Sequence, residues 1–125
     1  VKLKVRCISL DLAHNGVRKI SPWLRVGEIY SVLSIETSQE TGTLYRLIVD
    51  KKDPIASVAL FPSDLFVKVT DFNPTSWVKI RFDSCLVIAP KSWQSPGFWE
   101  SFYDGDPVAE NLFMLEVNNM IKEES

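Results

Sequence analysis

The sequence predicts a mainly β domain of the α+β type, a strongly bent antiparallel sheet or small barrel with a C-terminal helical segment. Three observations predict it. Short runs rich in β-branched and aromatic residues recur from residue 2 to residue 90, separated by turn residues such as Asp53-Pro54 and the stretch DFNPTS at 71–76. Beyond residue 90 the apolar residues recur at helical rather than strand spacing. The chain has 125 residues, 46% hydrophobic and 24% charged, which suits a single domain over 1–125 with its own core and argues against a disordered chain or a two-domain enzyme.

Lys2 to Ile8 alternates, with Leu3, Val5 and Cys7 facing inward and Lys2, Lys4 and Arg6 facing solvent, so it reads as a half-buried strand. Asp11 to Lys19, with His14-Asn15-Gly16, reads as a loop, and Ser21-Pro22-Trp23 as one helical turn ended by Gly27. EIYSVLSIE at 28–36 and TLYRLIVD at 43–50 are strands, joined as a hairpin through the polar, Gly-terminated SQETG. Ala56 to Phe61 is a third strand after the Asp53-Pro54 turn, and Pro62-Ser63-Asp64 turns the chain into Leu65 to Val69. Trp77 to Phe82 alternates again, and CLVIA resumes strand character up to Pro90. This makes six or seven strands, spaced as in a bent sheet or a small SH3-like barrel.

FWESFY at 98–103 places Phe98, Trp99 and Phe102 on one side of a short helix that Asp104-Gly105 ends. Asp106 then caps a helix with Pro107 at its first position, over about 107–122, because Ala109, Phe113, Val117 and Ile121 recur every four residues. A strand over Leu112 to Val117 is the rival reading, since that stretch is short and almost continuously apolar.

The formal charge of −2 offers phosphate or an anionic membrane no global attraction, but it conceals a gradient. Residues 1–52 carry nine basic and five acidic side chains, and residues 98–125 carry one basic and seven acidic. An acidic end folded onto an exposed face favours a basic partner. Two cysteines, Cys7 and Cys85, are too few for a disulfide framework, and each sits in an apolar run expected to bury it as a free thiol. No apolar stretch is long enough to span a bilayer, and VKLKVRCISL lacks the order of a signal peptide, so a cytoplasmic location is expected.

Little in the chain is arranged for catalysis. His14 is the only histidine, with no Cys or carboxylate cluster at zinc-ligand spacing, so no metal is expected. Ser9 and Asp11 do not make a triad by being close in sequence. Asp50, Asp53, Asp64 and Asp71 sit at strand ends and turns, where aspartate caps backbone amides. The glycines at 16, 27, 42, 97 and 105 are too dispersed for a phosphate cradle, so no cofactor is expected. A small enzyme using Asp50 or Cys85 is thereby disfavoured. Lys2, Lys4, Arg6, Arg18, Lys19 and Arg25 near Trp23 and Tyr30 support a second reading, a small-barrel nucleic-acid-binding protein, against which the net charge and the lack of a dense basic stripe both count.

The most unusual local signal is a run of aromatics, Phe98, Trp99, Phe102 and Tyr103, interleaved with Glu100, Asp104, Asp106 and Glu110. Large aromatics provide contact area and rim carboxylates select a positive partner, although the same rings can equally dock the C-terminal unit onto the sheet. The chain resembles small bacterial immunity proteins of contact-dependent growth inhibition systems. The likeness rests on LRVGEIY at 24–30, YRLIVD at 45–50, Leu60-Phe61-Pro62 with Phe66, Asp71, Pro74 and Trp77, and Gly97-Phe98-Trp99-Glu100 with Tyr103-Asp104, spanning about residues 24–110. It implies a non-enzymatic cytoplasmic inhibitor that occludes a cognate toxin domain, often a nuclease. On this reading Trp99, Glu100, Tyr103, Asp104, Asp106 and Glu110 face the toxin, with no direct contact to nucleic acid or membrane.

Overall fold

The computed structural model describes residues 3–9, 24–70 and 74–123. The expected loop around His14, the Ser21-Pro22-Trp23 turn, Lys2 and Asp71 lie outside them. The described strands are β1 (Lys4–Cys7), β2 (Ile29–Ser38), β3 (Gly42–Ile48), β4 (Val58–Pro62), β5 (Phe66–Lys68), β6 (Trp77–Phe82) and β7 (Cys85–Pro90). All their pairings are antiparallel. The helices are α1 (Pro54–Ser57), α2 (Phe98–Tyr103) and α3 (Pro107–Glu123), with 3₁₀ turns at Ser63–Leu65 and Lys91–Gln94. The fold is therefore mixed, a multi-stranded antiparallel sheet with C-terminal helices.

The long strand β2 organises the sheet. One of its edges pairs with β3 from Val32↔Leu47 to Ser38↔Gly42. Its other edge is divided: the first part pairs with β1 (Ser31↔Lys4, Ile29↔Arg6) and the last part with β7 (Ile35↔Ile88, Ser38↔Cys85). A register shift between Val32 and Ser34 marks a bulge at Leu33, a device that bends a strand and increases its twist. β5 then pairs with β1, and β4 leads into β5 through the 3₁₀ turn Ser63–Leu65.

The sheet has a core on each face. Leu3, Val5, Cys7, Tyr30, Val32, Tyr45, Leu47, Phe61 and Phe66 form the inner one, supplied almost entirely by alternating strand positions. The outer one joins Leu33, Val58 and Ala89 of the sheet to Trp93, Phe98, Phe102, Ala109, Phe113, Val117 and Met120 of the C-terminal elements. Trp77 packs against both. The helix reading of residues 107–122 therefore holds, and the rival strand does not: Ala109, Phe113 and Val117 are buried at four-residue spacing, and the Asp106 carboxylate accepts the Val108 amide at 3.1 Å.

Three expectations are corrected. The third strand begins at Val58 rather than Ala56, because Asp53 accepts the Ala56 amide and Pro54 starts a helical turn. Cys85 is half-buried rather than a core thiol, because it sits at the hairpin end of β7, opposite Phe82. The alternation in β6 does not bury one face: Val78, Lys79, Arg81 and Phe82 are all exposed, because neither core reaches along β6 beyond Trp77. Among the described residues, no helix is long and apolar enough to cross a membrane.

Candidate functional site

The acidic and aromatic segment folds as α2 and the first turns of α3. Gly97, at φ +76°, enters α2 in the left-handed conformation that glycine adopts without strain. Phe98 and Phe102, one turn apart, turn inward to the outer core. Trp99 and Tyr103 form the adjacent stripe, which lies over β3 and β4. Asp104 and Gly105 end α2, with the Asp104 amide on the Glu100 carbonyl at 3.0 Å and Gly105 at φ +84°.

What holds this stripe down is Arg46, in the middle of β3. Tyr45 and Leu47 point to the inner core, so the intervening residue must point to the outer face. There the Arg46 guanidinium lies 3.6 Å from the centre of the Trp99 ring. Its Nη1 donates to the Tyr103 hydroxyl at 3.1 Å and its Nη2 to Glu36 Oε2 at 2.8 Å. Tyr103 in turn donates to the Val58 carbonyl at 3.2 Å. A buried guanidinium is stable only when its charge is neutralised and most of its donors are engaged; an anion, a ring face and a hydroxyl engage this one, while its Nε, also buried, makes no hydrogen bond.

The six residues expected at a partner surface divide accordingly. Glu100, Asp104 and Asp106 are exposed, and Glu110 is half-buried in the first turn of α3. Tyr103 keeps 56% of its surface exposed although its hydroxyl is engaged, and Val108, in the first turn of α3, is 66% exposed. Trp99 is half-buried, its ring held against Arg46, Trp93, Phe102 and Phe113. A shallow notch of about 160 Å³ lies along the same segment, with Ser101, Asp106 and Val108 among its walls. Asp106 is the only charged residue among its described walls.

Residue reading missed the role of Arg46. Its signal was available: a lone charge inside LYRLI, a run whose other members are all apolar or aromatic. In a strand with one solvated face that is unremarkable, and only the covering helix makes it a buried ion.

The alternative sites come apart. Tyr30, expected among base-stacking aromatics, is buried; its hydroxyl donates to Glu28 at 3.2 Å and accepts the Arg25 amide at 3.0 Å. Burial pushes that hydroxyl above the usual tyrosine range, with Glu28 adding to the effect. Arg6 and Arg25 are exposed, while Trp23, Arg18 and Lys19 lie outside the described residues. Asp50 accepts the Lys52 amide at 2.9 Å and Asp53 caps α1, so both serve turns. Burial raises the Cys7 thiol, which donates to the Ser9 carbonyl at 3.7 Å. Cys85 is raised as well, by burial and then by the Glu36 carboxylate, which disfavours its reactive thiolate. Among the described residues, no group of three or more His, Cys, Asp or Glu side chains could hold a metal ion.

No family model, curated protein or solved structure matches this chain.

Proposed function

We propose that this protein is an immunity-type inhibitor, which binds a basic toxin domain, a nuclease, and blocks its substrate surface without chemistry of its own. The observation that carries this reading is the exposure of Glu100, Asp104 and Asp106, with Tyr103 and Val108, along one short segment whose helix α2 is anchored by Arg46 and Trp99. An exposed aromatic that desolvates on contact supplies affinity, and carboxylates on the same segment steer a cationic partner. Trp99 acts here by holding α2 in place, Tyr103 as the contact, and the carboxylates on encounter. The supporting scaffold is an SH3-like barrel, a reading favoured by the return of β5 to β1 and by the 3₁₀ corner that leads β4 into β5.

The test is kinetic. A basic nuclease toxin encoded beside this protein is titrated against it, and inhibition saturates near one-to-one stoichiometry. Glu100→Lys, Asp104→Lys and Glu110→Lys together slow association and flatten its dependence on ionic strength, while the unfolding midpoint moves little. An unchanged association rate and salt slope would remove the acidic segment from the interface, and inhibition persisting at large substoichiometric ratios would mean turnover.

A further inference from the structure

Away from α2, a cleft of about 850 Å³ opens between the sheet and the second half of α3. Leu33 of β2, Ile48 of β3, and Met114 and Val117 of α3 are among its apolar walls. Its volume falls within the range of about 300–1,000 Å³ typical of small-molecule sites. The charge of the lining is one-sided. Among the described residues, Lys4 and Lys51 are the only charged side chains that line it, and no carboxylate does. Of the two, Lys51 is exposed and Lys4 is half-buried.

We propose that this cleft binds an amphipathic organic anion, a molecule with an apolar body and a single carboxylate or sulfonate head. The body lies along Leu33, Ile48, Met114 and Val117, and the head meets the exposed ammonium of Lys51 at the rim. Burial of the body supplies most of the affinity and the ammonium selects the sign of the head, because a solvated ion pair contributes little by itself. The site is independent of the partner surface on α2, so either can fail without the other.

The probe is dodecanoate, kept below its micellar concentration and titrated into the isotopically labelled protein while amide shifts are followed. Saturable shifts centred on Leu33, Ile48, Met114 and Val117 are expected, with dodecyltrimethylammonium, the same tail on a cation, binding on the order of tenfold more weakly. Lys51→Glu inverts that order of preference, and Asn118→Trp, a substitution at an exposed lining position, closes the cleft to both ligands. Thermal unfolding of the two variants confirms that each is folded. Shifts scattered over the surface, equal binding of the anion and the cation, or unchanged selectivity in Lys51→Glu would each overturn the proposal.

Discussion

The two faces of the sheet are held together by different means. The inner core is made by alternation: Tyr45 and Leu47 of β3, Ala59 and Phe61 of β4, and Val5 and Cys7 of β1 all turn the same way, and strand pairing then brings them together. The outer core is made by docking. Its sheet residues, Leu33, Val58 and Ala89, are few, and most of its volume comes from the aromatic rings and α3 side chains of a segment that joins the sheet only at the end of the chain. Arg46 belongs to this second face, and it can be buried only once α2 supplies Trp99 and Tyr103. The residues of one face are thus marked by alternation within each strand, whereas the other face depends on a contact between residues 46 and 103 that no strand pattern marks.

The largest test of that contrast removes one ring from each face. Phe61 and Phe113 are both fully buried, and Phe61→Ala and Phe113→Ala are each expected to cost about 3–5 kcal/mol. Because Trp77 and strands β2–β4 touch both cores, each variant should unfold in one transition, with near-UV and far-UV signals coincident. A separate early transition in Phe113→Ala would split the molecule into an independently stable sheet and a detachable outer layer.

Arg46 carries a smaller share of the outer face's stability. Arg46→Ala leaves Glu36 without its cation and Trp99 without the plane stacked on it, for about 2–4 kcal/mol. Arg46→Lys keeps the charge but not the planar fork and should lie between that variant and the parent in urea midpoint. A lysine variant as stable as the parent would mean that the stack contributes nothing.

These two scales explain what was legible in advance. The strand of residues 4–7, the hairpin of β2 and β3, the helix after Asp106 and the burial of Phe98 and Phe102 all follow from period and punctuation. The helical turn α1 was missed because Pro54-Ile55-Ala56-Ser57 carries the same apolar character as the strand it precedes, and the decisive capping by Asp53 is a single local bond. Cys85 was misjudged because apolar neighbours in sequence do not bury a residue at a hairpin end. In the candidate site, which residues are acidic and aromatic was plain from the sequence. That Trp99 is engaged inside while Tyr103 stays open was not, because it depends on the guanidinium beneath them.

Two smaller effects complete the series. Asp106→Ala removes the side-chain cap of α3 and should cost about 1 kcal/mol by chemical denaturation, without altering the helix content of the native state. The thiols give a pH signature. Cys7 and Cys85 are both raised in the folded protein above their ordinary value of 9.0. Folding therefore holds on to their protons, and the thiols' contribution to stability is level below that value and declines as pH rises past it, where the unfolded chain ionises first. Cys7→Ala should flatten the decline, read as the unfolding midpoint between pH 8 and about 11. In the native protein at neutral pH, a thiol reagent should modify the half-buried Cys85 well before Cys7.

The bulge in β2 acts as a parity switch. Before it, the even-numbered Tyr30 and Val32 face the inner core; after it, the odd-numbered Ile35 does. The extra residue, Leu33, goes to the outer core. Without that one-residue offset, strict alternation would turn Ile35 outward and Glu36 inward, and the carboxylate that neutralises Arg46 would stand on the wrong side of its own strand. The burial of a cation on the neighbouring strand thus depends on counting: a change of one residue at Leu33 exchanges the two faces for the rest of β2, whereas a change of two preserves them.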